Sequence, residues 1–373
     1  MIPGLRVLVI GGGIAGMSAA IALREMGVAV HLIDRDPDWK VYGAGITITG
    51  PTLRVMRRLG ILDRVLAEGF VADGLLACDA AGRTIAQIET NSTALDGLPG
   101  AGGIMRPTLH RILSDRLLAL GPDISLGRTV THIATGLPKR VTFDDGSMGE
   151  YDLVIGADGI FSSTRATLFP DAPAPRYVGQ VCWRLMTTRH PAIERRTYFL
   201  GGPCKVGMNP VSPTEMYMFL LEPMQEFQRC PDGTEHIRLA ELMAPFGGPI
   251  ADLRQSLDPG SNIVARPLET IFLDSPWHRD GCILIGDAAH ATTPQLASGA
   301  GMAMEDGVIL AESLAEATDL HQAFDAFMAR RHPRCALVVD SSLKLGRMER
   351  DVTAPIDQIR VVEAALAELN RPY

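Results

Sequence analysis

Residues 6–34 read RVLVIGGGIAGMSAAIALREMGVAVHLID, and the order of residue types in this stretch decides the fold. Arg6 to Ile10 is rich in β-formers and apolar on both faces, as in a parallel strand covered on each side. Gly11, Gly13 and Gly16 follow in GxGxxG register. Met17 to Met26 carries helix formers, Gly27 stops them, and Val28 to Ile33 predicts a second strand closed by Asp34. Each part suits the grip of a dinucleotide. Gly11 allows a tight turn, Gly13 lets backbone approach a pyrophosphate, and Gly16 lets helix and strand pack closely. The helix start brings free N–H groups and roughly half a positive charge to the phosphates. Asp34 is placed to accept hydrogen bonds from the adenosine ribose. Taken alone, this unit leaves NAD and FAD equally open.

The whole chain sets limits on the rest. Its 373 residues suit two joined domains, and the net charge of -8 argues against a nucleic-acid footprint, which needs a clustered basic face. Six scattered cysteines make no CxxC pair, and nine histidines make no HExxH, so no metal site is expected. Reduced thiols point to a cytoplasmic protein. The apolar start, Leu5 to Ile10, is too short to span a membrane and shows no cleavage pattern.

Two further motifs follow in order. Tyr151 to Pro170 reads YDLVIGADGIFSSTRATLFP, a strand and then Asp158, Gly159, Ser162 and Arg165. Gly286 to Gly307 reads GDAAHATTPQLASGAGMAMEDG, after the apolar run Cys282 to Ile285. The succession GxGxxG, ADGxxSxxR and GDAAHxxxP resembles the FAD-dependent aromatic hydroxylases, the monooxygenase family of para-hydroxybenzoate hydroxylase and salicylate hydroxylase. The likeness covers most of the chain, including GAGITITGPTLRVMRRLGI (43–61) and MRPTLHRIL (105–113). A plain NAD dehydrogenase would carry the first motif and lack the other two.

The resemblance implies an α/β fold: a Rossmann-like FAD-binding domain, an inserted mixed β-sheet substrate domain and a C-terminal helical tail. The boundaries expected are 1–175 with 266–325, then 176–265, then 326–373. It implies FAD held by Gly11, Gly13, Ile14, Ala15 and Gly16, with Asp34 and Arg35 at the adenosine and Gly45 and Val130 in the same envelope. Arg106 matches an arginine reaching the flavin or its phosphates, and Asp158 a residue tied to FAD, pyridine nucleotide or both. Arg165 reads as the pin of that loop. Asp287 matches the acid on the ribityl chain, with Gly286 permitting its approach, and Pro294 a proline at the flavin's reactive edge. His290 invites a general-base role, but the family pattern favours packing and hydrogen-bond support. Gly299, Ala300 and Gly301 open a helix whose amides would face the pyrimidine side of the ring and stabilise negative charge there. The family often has Gly-Gln-Gly, a small residue and Asn where this chain has Ala297 to Gly301, so any contact by those Gln and Asn side chains is absent.

From Tyr177 to about Ala265 the βα alternation gives way to short strand-like runs, among them Gln180 to Met186 and Met216 to Leu221. In the family such a sheet roofs the substrate. Arg184, Tyr198, Met208 and Tyr217 are therefore candidates for one wall, and Ile46, Thr47 and Thr49 for the other. Each also reads as core packing, and Arg184 either clamps a substrate carboxylate or pairs with an acid at the seam. Tyr217 is a candidate base for a phenol. Asp319 to His332 and Ala336 to Arg350 look helical, and Ile356 to Asn370 carries an amphipathic stripe.

The implied chemistry is that of a single-component monooxygenase. NADH or NADPH transiently reduces FAD, and a C4a-hydroperoxyflavin formed with dioxygen hydroxylates a small phenolic or heteroaromatic substrate. A reductase or oxidase on the same scaffold, like the polyprenyl reductases, is the alternative, and a regulatory protein that keeps FAD without turnover is a third. Monomer and homodimer both stay open.

Overall fold

The computed structural model describes residues 2–373 except Pro3, Tyr42, Asn91, Ser275 and Val352. Arg6–Ile10 lies inside a six-stranded sheet, between Leu153–Gly156 and Ala29–Asp34, and is parallel to both. Asp123–Leu126 extends one side; Cys282–Leu284 and then His278–Arg279 extend the other. The central strand is apolar on alternate and intervening positions alike because helices cover both faces, so Val7, Leu8 and Val9 are all fully buried. The first helix, Ile14–Glu25, packs against Gly299–Glu316. A Cβ on Gly307 would overlap the backbone of Ser18 and Ala19, so this glycine sets how closely the two helices cross.

A second, seven-stranded sheet runs in the order Asn262–Thr270, Arg176–Thr188, Glu215–Pro223, Lys205–Pro210, Thr197–Phe199, Leu75–Cys78, Thr84–Ile88. It is mixed because Thr197–Phe199 pairs parallel with Leu75–Cys78. The sheet runs on to Thr270, beyond the expected 176–265 insert, and recruits residues 75–88 from before it. That recruitment is a pairing across more than a hundred residues, which local periodicity does not report. One face of the sheet, with Trp183, Leu185, Met216, Met218 and Leu220, packs on helices Glu235–Met243 and Pro249–Gln255. The other, with Cys182, Tyr217, Phe219 and Leu221, faces the first domain. This is the period-two consequence of a strand covered on both sides.

The helical patterns expected over Asp319 to His332 and Ala336 to Arg350 join into a single element. Leu320–Arg350 is one continuous helix with Pro333 inside it, and it crosses the expected 325/326 boundary. Arg331 and Cys335, fully buried on either side of the proline, hold it in register against the core. The last helix, Pro355–Leu369, buries Ile359, Val362, Ala365 and Leu369 on its own chain. No described helix is long and apolar enough to cross a membrane.

Candidate functional site

Between the two sheets lies a cavity of about 470 Å³, and the three sequence motifs meet along it. Gly13, Ile14 and Ala15 form one end, where the first helix begins with no acidic residue in its opening turn. Gly11 stands behind them with φ +108°, and its amide donates to Ile33 O at 2.8 Å. A Cβ there would stand 2.5 Å from Ala157 O, and one on Gly16 would overlap Gly11 O. Gly13 differs, since a Cβ there meets nothing within 4 Å. Its missing side chain leaves open space rather than room for packing. Asp34 accepts from the amides of Gly12 at 2.7 Å and Asp36 at 2.8 Å, which fixes the loop to the end of the second strand. Trp39 closes the same corner, donating from Nε1 to Gly12 O at 2.9 Å. Arg35 is exposed beside it. Val130 begins a short antiparallel ribbon off the cavity, two residues past Arg128, whose amide donates to Asp34 O.

Midway along the cavity stand Asp287 and Arg106, their side chains open to it and without a hydrogen-bond or ion-pair partner among the described residues. Enclosure by the surrounding protein raises the Asp287 carboxyl above its ordinary value, against the pull of His290 and Arg106. The same enclosure lowers Arg106, partly offset by Asp287. The turn that presents Asp287 begins at Gly286, φ +60°, where a Cβ would press on Ala15 at 2.7 Å. The amide of Gly286 donates to Asp306 Oδ2 at 2.8 Å.

His290 points away from this chemistry. Its Nε2 lies 2.6 Å from Asp306 Oδ2, its ring lies against Trp277, and it is 3% exposed. Asp306 in turn accepts from Arg331 Nε at 2.7 Å; Arg331 and Arg334 both reach Glu305. Burial opposes the imidazolium, but Cys335 and Asp306 beside it hold His290 well above its usual value. Burial likewise opposes the Asp306 carboxylate, and His290 and Arg331 keep it below its usual value. The result is a buried row of alternating charges under the Asp287 turn. Neither motif nor spacing announced Arg331, which lies 25 residues beyond Asp306.

Asp158 stands beside the cavity, engaged with its own loop. Its carboxylate accepts from Ser162, Ser163 and both the amide and hydroxyl of Thr164, which ties it to the first turn of the helix Ser163–Leu168, while Ser162 caps that helix by accepting from the amide of Arg165. The cavity is lined instead by the neighbouring Gly159 and Ile160. Arg165 donates to Ala288 O at 2.9 Å and Ile160 O at 2.7 Å, tying the second motif to the third.

Cys182, Arg184, Tyr198, Tyr217 and Phe219 form the far wall on the seven-stranded sheet, facing Ile46 and Thr47. Met208 is not among them. It is fully buried on the opposite face, against the helices, because side chains alternate along Lys205–Pro210. Asn209, next along the strand, takes the inward position and donates to Tyr217 OH at 2.8 Å and to Thr47 Oγ1. Counting the strand in twos would have found it. Gly45 is bare because the Tyr217 ring occupies the place of its Cβ. Thr49, the third residue expected on that wall, is buried beside the cavity and bonded to Thr52. Burial raises the Tyr217 phenol above its ordinary range, though Thr47 and Asn209 oppose this. A phenol held neutral is a poor proton acceptor and a competent hydrogen-bond donor. Tyr217→Phe is accordingly expected to leave the pH–rate profile unshifted while raising KM a few-fold; loss of a limb of that profile would contradict this.

The remaining wall runs from Ala291 through Pro294 to Gly299, Ala300 and Ala303 at the start of the second long helix. Ala297 sits at φ +54°, a left-handed conformation costing a non-glycine residue roughly 1 kcal/mol. Ser298, 3% exposed, donates to Leu296 O at 3.0 Å. Gly301 packs where a Cβ would overlap Thr52, whose hydroxyl bonds Thr49 at 3.0 Å. The two departures from the family loop thus have local causes: one hydroxyl turns back onto its own loop, and one bare position admits Thr52. Arg266 and Glu269 also line the cavity, from an edge strand that the sequence reading had placed largely outside the sheet.

Comparison with known proteins fits this geometry. Residues 4–342 match the family described as FAD binding domain. The protein YetM of Bacillus subtilis (strain 168) is 31% identical over 344 residues, 91% of this chain and 93% of its own. An FAD-dependent urate hydroxylase of Klebsiella oxytoca is 30% identical over 368 residues, covering 94% and 90%. The crystal structure of Klebsiella pneumoniae HpxO with FAD and uric acid superposes with a TM-score of 0.83 at 26% identity, over 98% of this chain and 92% of that one. The chain belongs to the FAD-dependent aromatic hydroxylase family and is an FAD-dependent monooxygenase.

Proposed function

We propose that the protein is a single-component hydroxylase of a small planar phenolic or heteroaromatic substrate carrying an acidic or acceptor group, with NADH or NADPH as transient reductant. The carrying observation is the continuity of one cavity, from the bare amides at Gly13 to the unpaired guanidinium of Arg184 on the sheet. The residues present fit FAD: open space at Gly13 for a pyrophosphate, a partnerless Asp287 for ribityl hydroxyls, and a helix start at Gly299 and Ala300 beside Pro294. Gly11, Gly16, Gly286 and Gly301 act by letting backbone close up around it. Bound FAD supplies hydride acceptance and oxygen transfer. The chain's own residues orient the ring substrate and exclude water.

Arg184 supports the substrate class. It lines the cavity with no acid paired to it among the described residues, while Tyr198, Tyr217 and Phe219 give a flat, largely apolar surround. The ring substrate named for the urate hydroxylase has this character. A polyprenyl-reductase reading needs a long apolar tunnel; here the sheet end of a 470 Å³ space meets Arg184, Arg266 and Glu269. The test is NAD(P)H oxidation by the FAD-loaded protein across hydroxylated aromatic and heteroaromatic acids, with products read by mass. A stimulating compound gaining one oxygen atom supports the reading, and stimulation that yields only hydrogen peroxide for every compound sinks it. Arg184→Met is expected to raise KM for an anionic substrate about 10- to 100-fold, the loss of a charged hydrogen bond. An uncharged analogue is expected to be little affected.

A further inference from the structure

One carboxylate outside the cavity is gripped from both of its sides. Glu349, in the last turn of the helix Leu320–Arg350, accepts from Lys205 Nζ at 2.9 Å on one oxygen. Its other oxygen accepts from Gln180 Nε2 at 3.2 Å and from Gln295 Nε2 at 3.1 Å. The Gln295 amide also donates to Gln180 Oε1 at 3.0 Å. These donors come from three places: Lys205 opens the strand Lys205–Pro210, Gln180 lies in Arg176–Thr188, and Gln295 directly follows Pro294. All four side chains are buried. Lys205 in turn stands 4.6 Å from the centre of the Tyr198 ring, a cation–π contact. Tyr198 and Pro294 both line the cavity, whereas Glu349, Lys205, Gln180 and Gln295 do not.

The fold makes room for this junction. Gly346 lies one turn before Glu349 in the same helix, and a Cβ there would come 3.0 Å from Gln180 Oε1 and 3.2 Å from Gln295 Nε2. Glycine weakens a helix interior, so the bare position facing those two amides has a packing reason. The ion pair is a poor source of stability, because taking Lys205 and Glu349 out of water costs about as much as their attraction returns. What a buried pair does supply is geometry, since any other placement leaves a charge buried and alone. The Tyr198 side of the cavity and the Pro294 side are thus both fixed to one carboxylate.

We propose that Glu349 is a positioning residue for the hydroxylation: through Lys205 and Gln295 it sets the gap between the Tyr198 ring and the Pro294 turn, and so how the ring substrate meets the flavin. The proposal rests on FAD occupying this cavity as read above, and not on which compound is hydroxylated. Two variants of the FAD-loaded full chain test it. Glu349→Gln has one acceptor oxygen in place of two, so it holds Lys205 or the two glutamines but not both sides. Lys205→Met with Glu349→Met removes both charges at similar volume, so the thermal midpoint lost in the single variant is expected to recover. FAD affinity is expected to hold within about twofold in each, since neither residue lines the cavity. The visible circular dichroism of bound FAD is expected to change in both. With the compound that most stimulates NAD(P)H oxidation in the panel above, turnover to hydroxylated product is expected to fall roughly tenfold, the difference appearing as hydrogen peroxide. A wild-type flavin signal in both variants would overturn the proposal. Recovery of signal and turnover in the double variant would assign the effect to the stray charge of Lys205 and overturn positioning. If the wild type hydroxylates none of the compounds, the substrate reading fails, and the flavin signal still decides the role of Glu349. If Glu349→Gln does not fold, the double variant decides alone.

Discussion

Asp306→Ala is expected to destabilise the protein by about 3–5 kcal/mol, the cost of leaving buried charge without its partner. The substitution strands His290 and Arg331 together and orphans the amide of Gly286. Because Gly286 opens the turn that carries Asp287, FAD affinity should fall with stability, measurable by denaturant unfolding and by titration of flavin fluorescence. The pH dependence has a definite sign. His290 is raised above its unfolded value of 6.5, so its contribution is fully present below that pH and fades as pH rises through the higher folded value. Asp306 is lowered from 3.8, so its contribution is present above that pH and fades as pH falls through the lower folded value. Asp306→Asn keeps an acceptor for Gly286 but removes the charge, so its stability should vary less with pH at both ends of that window. A variant as stable as the wild type, with an unchanged pH profile, would show that the buried row is incidental.

The second large effect separates two glycines in one loop. Gly11→Ala places a Cβ 2.5 Å from Ala157 O at a φ of +108°, so folding itself should suffer and apo-protein should be lost. Gly13→Ala meets no atom within 4 Å, and its backbone at φ -79° suits alanine. The apo-protein should therefore melt like the wild type. FAD binding should nonetheless weaken by roughly 1–3 kcal/mol, about 5- to 150-fold, because the methyl occupies space that a pyrophosphate needs. Thermal unfolding of both apo-proteins, followed by FAD titration of Gly13→Ala, checks the contrast. Wild-type FAD affinity in Gly13→Ala would mean that the open space at Gly13 is not the phosphate cradle.

Much of this was legible without coordinates, for reasons that differ by residue. The glycine loop, Asp34, Gly286 and Asp287 were readable because local backbone geometry demands those residue types at those spacings. Arg184, Tyr198 and Tyr217 were reachable because a strand shows alternate residues to one face, and Met208 was misplaced through neglect of that same alternation beside Asn209. The motif around Asp158 names a cofactor tie, and the structure adds that its carboxylate also holds the first turn of the helix Ser163–Leu168. Arg331 gave no local signal at all.

The sequence by itself determined the dinucleotide-type unit, the order of the three motifs and hence the family, since each rests on contacts among near neighbours along the chain. Only the tertiary structure decided what those motifs enclose. The pairing of Leu75–Cys78 with Thr197–Phe199, the burial of Arg331 against Asp306, the Thr47–Asn209–Tyr217 cluster and the junction at Glu349 all join segments 25 to 170 residues apart. Such contacts follow from how two sheets and a long helix close on one another, and no short window of sequence carries that information.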